Sequence, residues 1–245
     1  MKDLFKLKLK KSVVDSKSDN LPTSSQGDVN SFLAKVASLP KTAGDARLIF
    51  ALDATASRQA TWNTASQLQR DMFASAQSLG GLQVQLCYFR GFAEFYKSGW
   101  NLNADDLLHK MSGLKCEAGT TKIETLLSHA LAENRNTKIK SVIFIGDAME
   151  ESLDRLAQLA GELGMLNVPL FMFQERGDPT AKQAFLELSK LSGGAYSQFD
   201  SASADQLKDL LKAVAIYAAG GLKALQNFSK NSPESVKLLA RQMKS

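Results

Sequence analysis

The chain has 245 residues, 44% of them apolar, and its 30 basic and 25 acidic side chains give a formal net charge of +5, which fits one sizeable globular domain with appendages. Its two cysteines, Cys87 and Cys116, match neither a zinc-binding spacing nor a disulfide framework, which favours a reduced, cytoplasmic setting. The apolar stretch at 213–219 is far shorter than the roughly 20 residues of a membrane span, so no transmembrane segment is expected.

The first 44 residues are predicted to lie outside the main domain. Residues 1–27 form a basic tail and linker, in which six lysines crowd the first 17 positions, and residues 28–44 form a short helix and a connector. The lysines interrupt any apolar core, so the segment is not a signal peptide. It is either a solvated tail or an arm that makes weak contact with a membrane surface or a partner.

The main domain is predicted at residues 45–200. Strands are expected at 47–53, 82–89, 93–97, 141–147, 168–173 and 195–199, and helical patterns separate most of them, as in a parallel sheet. The exception is the turn at Arg90 and Gly91, which is too short for a crossover and makes the third strand antiparallel. The predicted fold class is α/β: a Rossmann-like, doubly wound, mostly parallel sheet with one antiparallel edge strand and helices on both faces.

A C-terminal helical extension is predicted at residues 201–245. Apolar residues recur at helical spacing from 204 onward, and the pattern resumes over 222–228 after the pair Gly220 and Gly221. Because two adjacent glycines weaken a helix, we expect a kink or a break there. Pro233 then precedes a last predicted helix at 234–243.

An acid and two hydroxyls follow the first predicted strand. The five apolar residues at 48–52 suit a central parallel strand covered on both faces, and Asp53, Thr55 and Ser57 follow at every second position. Ligands of such sheets bind at the edge where the strands end. Oxygen ligands with few carboxylates suit a hard cation such as Mg²⁺, which keeps several waters.

Two later segments supply further oxygen atoms. A second apolar strand ends at Asp147, which is therefore expected at the same sheet edge as Asp53. The loop between these acids carries Gly119, Thr120 and Thr121 ahead of a helical pattern that starts at 123. A threonine at that position serves equally well as an ordinary helix N-cap.

Together these residues resemble the metal-ion-dependent adhesion site of von Willebrand factor A (VWA) domains. The family motif is Asp-x-Ser-x-Ser followed by a later Thr and a later Asp, and the matching residues here are Asp53, Thr55, Ser57, Thr121 and Asp147. Thr55 replaces a serine but keeps the hydroxyl. Thr120 directly follows the glycine and is the alternative to Thr121, which we choose because Ile123 lies two positions after it, as in the family's Gly-Thr-x-Ile register.

The resemblance implies a cytoplasmic, bacterial-type adaptor domain and not an enzyme. The five residues would hold Mg²⁺ or Mn²⁺, and an open coordination position would take an Asp or Glu of a partner protein. Intracellular bacterial members of the family often serve assembly or stress systems alongside ATPases, kinases or chaperones. No nucleic-acid partner is expected, because the aromatic residues form no stacking stripe.

Two other functions compete with this interpretation. Residues 53–55 begin like the Asp-x-Asp motif of haloacid-dehalogenase-type phosphotransferases, but Thr55 cannot supply the second acid that the leaving group needs. The other is a purely structural VWA domain with a vestigial site. The site is flanked by Arg58, Glu150 and Glu151, which could screen what docks there. For the two acids the alternative is that they begin the next helix, where negative charge is favourable.

Overall fold

The computed structural model describes residues 46–58, 82–100, 109–111, 113–200 and 204–243. The basic tail predicted at 1–27 and the short helix and connector predicted at 28–44 lie outside the described residues. All six predicted strands and the two predicted C-terminal helices fall within the described residues up to position 243.

A six-stranded sheet forms the centre of the protein. Its strands are β1 (Ala46–Asp53), β2 (Leu82–Arg90), β3 (Glu94–Lys97), β4 (Ser141–Gly146), β5 (Leu170–Glu175) and β6 (Ala195–Phe199). They lie in the order β3-β2-β1-β4-β5-β6. All neighbours pair in parallel except β2 and β3, which are antiparallel. The predicted parallel sheet with one antiparallel edge strand is confirmed.

Helices cover both faces of this sheet, as the sequence predicted. The faces carry α1 (Ile123–Asn136), α2 (Leu153–Met165) and α3 (Pro179–Ser192) on one side and α4 (Ala204–Ser229) and α5 (Glu234–Gln242) on the other. Along β1, Leu48, Phe50 and Leu52 pack toward α4 and α5, whereas Ile49 and Ala51 pack toward α1, α2 and α3. Because successive side chains of a strand alternate between faces, a strand covered on both sides must be apolar throughout.

Several predicted boundaries differ from the structure by one or two residues, and two of the differences have a clear physical reason. β5 begins at Leu170 because Val168 belongs to the turn after α2, where its N–H donates to Leu163 O over 2.9 Å. The prediction that Glu150 and Glu151 begin α2 is wrong, since that helix begins at Leu153 after the N-cap residue Ser152.

The C-terminal helices show the expected break and also cover a strand edge. Gly221 has φ 71° and ψ −170° inside α4, which confirms the predicted interruption. At the end of α5, the Gln242 side chain accepts from Tyr196 N–H and donates to Tyr196 O, each over 2.9 Å. These bonds occupy part of the free edge of β6. Across the described ranges, every helix is too short or too polar to cross a bilayer.

Two glycines of α2 provide a matched test of its packing against α3. A Cβ on Gly164 would clash with the backbone oxygen of Leu191, whereas a Cβ on Gly161 would meet no atom of the described residues within 4 Å. We expect Gly161→Ala to raise the free energy of unfolding by about 0.5–1 kcal/mol. Gly164→Ala should lower it by about 1–3 kcal/mol through steric overlap. Denaturant unfolding measures both values, and equal shifts would contradict this close helix approach.

Candidate metal site

Asp53 and Asp147 leave the sheet at the same edge. β1 and β4 pair in parallel with Leu52 opposite Ile145, so the acid that ends β1 and the acid that follows β4 emerge together. Asp53 is fully buried and Asp147 is 6% exposed. The winding of the sheet reverses between these strands, since β2 and β3 lie beyond β1 while β5 and β6 lie beyond β4. Such a reversal opens a crevice at the strand ends, where ligands of α/β sheets bind.

Hydrogen bonds link Thr55 and Ser57 to these acids. The Thr55 backbone N–H donates to Asp53 Oδ1 over 2.8 Å. Thr55 Oγ1 lies 3.1 Å from Ser57 Oγ, which in turn donates to Asp147 Oδ1 over 3.0 Å. The structure thus brings four of the five proposed ligands into one connected group.

The carboxyl group of Asp53 is incompletely satisfied. Its Oδ2 atom is buried and has no hydrogen-bond partner among the described residues. Burial raises the pKa of Asp53 to about 6, although the positive charge of Arg58 and the hydrogen bonds from Thr55 oppose this shift. The negative charge of Asp147 adds to it. A buried carboxylate oxygen without a partner is costly, so a proton or a cation at Oδ2 would stabilise the group.

Arg58 lies inside the protein beneath these ligands. Its side chain is fully buried, and Nε donates to Glu175 Oε2 over 2.8 Å. Nη1 donates to the backbone oxygens of Asp53, over 2.6 Å, and Ile145, over 3.4 Å. Arg58 therefore connects the ends of β1, β4 and β5, and the hypothesis that it screens incoming molecules is wrong.

Thr121 is held by the segment that follows Asp147. Its side chain is buried, whereas Thr120 is exposed. The Glu150 backbone N–H donates to Thr121 Oγ1 over 3.2 Å, and the Thr121 N–H donates to Glu150 Oε2 over 2.8 Å. This reciprocal pair ties Thr121, rather than Thr120, to the chain beyond the carboxyl end of β4.

Glu151 caps α1 from another part of the chain. Its carboxylate oxygens accept the backbone N–H groups of Ile123, over 2.7 Å, and Glu124, over 2.9 Å. The N-cap residue Lys122 makes no side-chain capping bond. The alternative that Thr121 is the N-cap is therefore wrong, because Glu151 supplies both the acceptors and the favourable negative charge.

Close backbone contacts dock the loop that carries Thr121. The Glu117 N–H donates to Ala54 O over 3.1 Å at the end of β1. Gly119 packs so closely on Gly91 that an added Cβ would clash with the Gly91 backbone. A glycine is needed at this position because only a residue without a side chain allows the two backbones to approach.

Arg176 is a site residue that the sequence motif did not reveal. It directly follows β5, and its side chain is 49% exposed. Nη2 donates to Ser57 O over 2.6 Å, and Nη1 lies 3.5 Å from Asp147 Oδ2. The available signal was its position, because the residue after a parallel strand emerges at the same edge as the proposed ligands.

Cysteine and histidine side chains are the other metal-binding types that the sequence contains. Within the described residues, no group of three or more His, Cys, Asp or Glu side chains is arranged to hold a metal. Neither Cys87 nor Cys116 forms a disulfide within the described residues, and burial raises the pKa of Cys87 to about 12. His129 Nε2 lies 2.8 Å from Gln85 Oε1, and burial lowers the pKa of its ring. The candidate donors at the sheet edge are therefore the two acids and three hydroxyls that the sequence motif predicted.

Comparison with known proteins bears on the fold. No protein-family model matches the chain, and no curated protein sequence matches it. Among solved structures, the SpRpn10 VWA domain aligns with a TM-score of 0.54 and 13% identity, over 69% of this chain and 94% of that one.

Two larger proteins align in the same way. The von Willebrand factor type A protein from Catenulispora acidiphila gives a TM-score of 0.56 at 12% identity, over 71% of this chain and 44% of that one. Proximal thread matrix protein 1 from the mussel byssus, in a structure with a zinc-occupied MIDAS motif, aligns with a TM-score of 0.55 at 17% identity. The alignment covers 71% of this chain and 46% of that one. This chain therefore aligns with less than half of each of these two proteins. It has the fold of von Willebrand factor A domains.

Proposed function

We propose that this chain is a metal-dependent protein-interaction domain, an adaptor rather than an enzyme, that binds a carboxylate of a partner protein through Mg²⁺ or Mn²⁺. The observation that carries the proposal is the buried Oδ2 atom of Asp53, which has no hydrogen-bond partner among the described residues and lies beside the linked hydroxyls of Thr55 and Ser57. A divalent cation would give this oxygen a positive partner. The VWA fold supports the same reading.

The available donors suit a hard cation. They are all oxygen atoms, and the residues that supply them are Asp53, Thr55, Ser57, Thr121 and Asp147. Mg²⁺ prefers oxygen ligands, keeps several waters and takes only one or two carboxylates. We assign Thr55 and Ser57 as direct ligands, Thr121 as a direct or water-bridged ligand, and the two acids as ligands that act largely through water.

An open coordination position would be accessible to a partner. Ser57 is exposed, whereas Asp53 and Thr55 are buried behind it, so the ligand group faces solvent on one side only. Two carboxylates that act through water only partly neutralise a divalent cation, so the cation still attracts a further anion. An Asp or Glu of a partner would therefore complete its coordination shell. The setting that we propose is cytoplasmic.

The same residues do not favour a phosphotransferase. Such an enzyme would need a carboxylate oxygen of Asp53 free to attack, but Oδ1 already accepts the Thr55 N–H and Oδ2 is buried. Thr55 also stands where a second acid would handle the leaving-group proton. We therefore propose that the domain binds a partner and catalyses no reaction. Metal titration separates this function from a structural domain with a vestigial site.

Thermal unfolding with metal tests the site directly. Mg²⁺ or Mn²⁺ should stabilise the full chain, since a ligand of the folded state at about 100 times its Kd adds about 2.7 kcal/mol. Asp53→Asn should abolish this gain and yet raise the stability of the metal-free protein, because it removes a buried charge. Asp154→Asn, on the exposed first turn of α2, removes the same charge and should keep the metal gain. A gain that survives in Asp53→Asn, or none in the unaltered chain, would contradict the site.

The pH dependence of the metal-free protein gives a second test. The pKa of Asp53 rises from 3.8 to about 6 on folding, so the folded state binds more protons between these values. Its stability therefore falls as the pH rises through this window. We expect the stability advantage of Asp53→Asn over the unaltered chain to grow by up to about 3 kcal/mol from about pH 4 to pH 7. Denaturant unfolding in EDTA measures this difference. A stability difference that stays constant from about pH 4 to pH 7 would contradict a buried, destabilising charge on Asp53.

The neighbouring threonines provide a matched pair for the remaining ligand. Thr121→Ala should weaken Mg²⁺ binding and Mg²⁺-dependent partner capture by about tenfold, a change of about 1.4 kcal/mol. Thr120→Ala should leave both nearly unchanged, because Thr120 is exposed while Thr121 is buried against Glu150. Calorimetry and pull-down with and without EDTA measure the two effects. The reverse ranking would make Thr120 the ligand.

A further inference from the structure

Arg176 has a rare backbone conformation at the end of β5. Its φ is 66°, in the left-handed region that glycine adopts freely and other residues adopt seldom. The residue before it, Glu175, is buried in the ion pair with Arg58, so the turn begins at a fixed point. Non-glycine residues in this conformation cluster at functional sites, because the surrounding structure must hold them there.

The guanidinium of Arg176 contacts two parts of the candidate metal site. Its Nη2 bond to Ser57 O, at 2.6 Å, keeps Nη1 beside Asp147 Oδ2 at 3.5 Å. Asp147 Oδ1 accepts from the Ser57 hydroxyl, so the two oxygens of this carboxylate have different neighbours. The arginine side chain is half-exposed, and it can withdraw into solvent without opening the core.

We propose that Arg176 is a built-in competitor of the metal, whose guanidinium neutralises Asp147 in the metal-free protein and withdraws when a divalent cation binds. This inference rests on the proposed function of the same site. A guanidinium and a divalent cation beside one carboxylate repel each other, and the repulsion lowers the affinity for the metal. The site then fills only above a metal concentration that Arg176 helps to set. An arriving partner carboxylate attracts the displaced guanidinium and favours the filled state.

The test compares the unaltered full chain with Arg176→Gln and with the control Arg241→Gln. Arg241 is an exposed arginine of α5 that pairs with Glu234 over 3.1 Å, and its substitution removes the same charge far along the chain from the site. Isothermal titration with MgCl₂ and the metal-dependent melting shift are measured for each protein. Arg176→Gln should bind Mg²⁺ about fivefold more tightly, the size expected for one half-exposed ion pair. Arg241→Gln should match the unaltered chain, and the difference should shrink at high salt.

A second variant separates the guanidinium from the backbone. Arg176→Gly removes the side chain and also relieves the left-handed conformation, so it should bind Mg²⁺ as tightly as Arg176→Gln. If only the glycine variant gains affinity, or if Arg176→Gln binds as the unaltered chain does or more weakly, the competitor role is overturned while the metal site stands. If neither the unaltered chain nor the variants bind Mg²⁺, the proposed function itself fails, and the inference fails with it.

Discussion

The buried guanidinium of Arg58 is the interaction on which the candidate site depends. It binds the backbone oxygens of Asp53 and Ile145 and the carboxylate of Glu175, and so joins the ends of three neighbouring strands. Removing one partner of a buried ion pair typically costs about 3–5 kcal/mol, which is far more than a surface pair contributes. The strand ends that carry the two aspartates are therefore held together, which fixes the positions of Asp53 and Asp147 relative to each other.

Among the described residues, two arginines lie beside the carboxylates of the site, one of them buried and the other half-exposed. Arg58 is fully buried beneath Asp53 and favours its ionised form, yet burial outweighs this effect and raises the pKa of the acid. Arg176 lies at the rim, half-exposed, beside Asp147. Arg58 connects the strand ends. In the role proposed above, Arg176 would affect how readily a divalent cation is accepted. Asp53 contributes a buried oxygen that has no hydrogen-bond partner among the described residues.

Acids from a distant segment determine where the third hydroxyl lies. Glu150 exchanges two hydrogen bonds with Thr121, and Glu151 binds the first two N–H groups of α1. The helix therefore needs no capping side chain of its own, which leaves the Thr121 hydroxyl to accept from the segment after β4. The close contact of Gly119 with Gly91 presses the same loop against the β2–β3 turn.

Local patterns in the sequence predicted much of this architecture. Apolar runs identified the strands, because burial on both faces requires consecutive apolar residues. The short Arg90-Gly91 turn identified the antiparallel edge, because two residues can join only antiparallel neighbours. The spacing of Asp53, Thr55 and Ser57 was equally informative, since hydrogen bonds between residues two positions apart join them. Val168 was misassigned to β5, as the turn contact that removes it from the strand does not appear in a hydropathy pattern.

Only the tertiary structure decided which charges meet. Arg58 and Glu175 are 117 positions apart, and Arg176 and Ser57 are 119 apart, so no local periodicity relates them. The sequence suggested that Arg58 screens the site and assigned no role to Arg176. Strand order and parallel register placed Arg58 under the site and Arg176 at its rim. The sequence by itself determined the strands and the types of ligand atom, because these follow from short-range spacing and hydrophobicity. The burial and pairing of the charges depend on which strand ends become neighbours, and that is a property of the folded sheet.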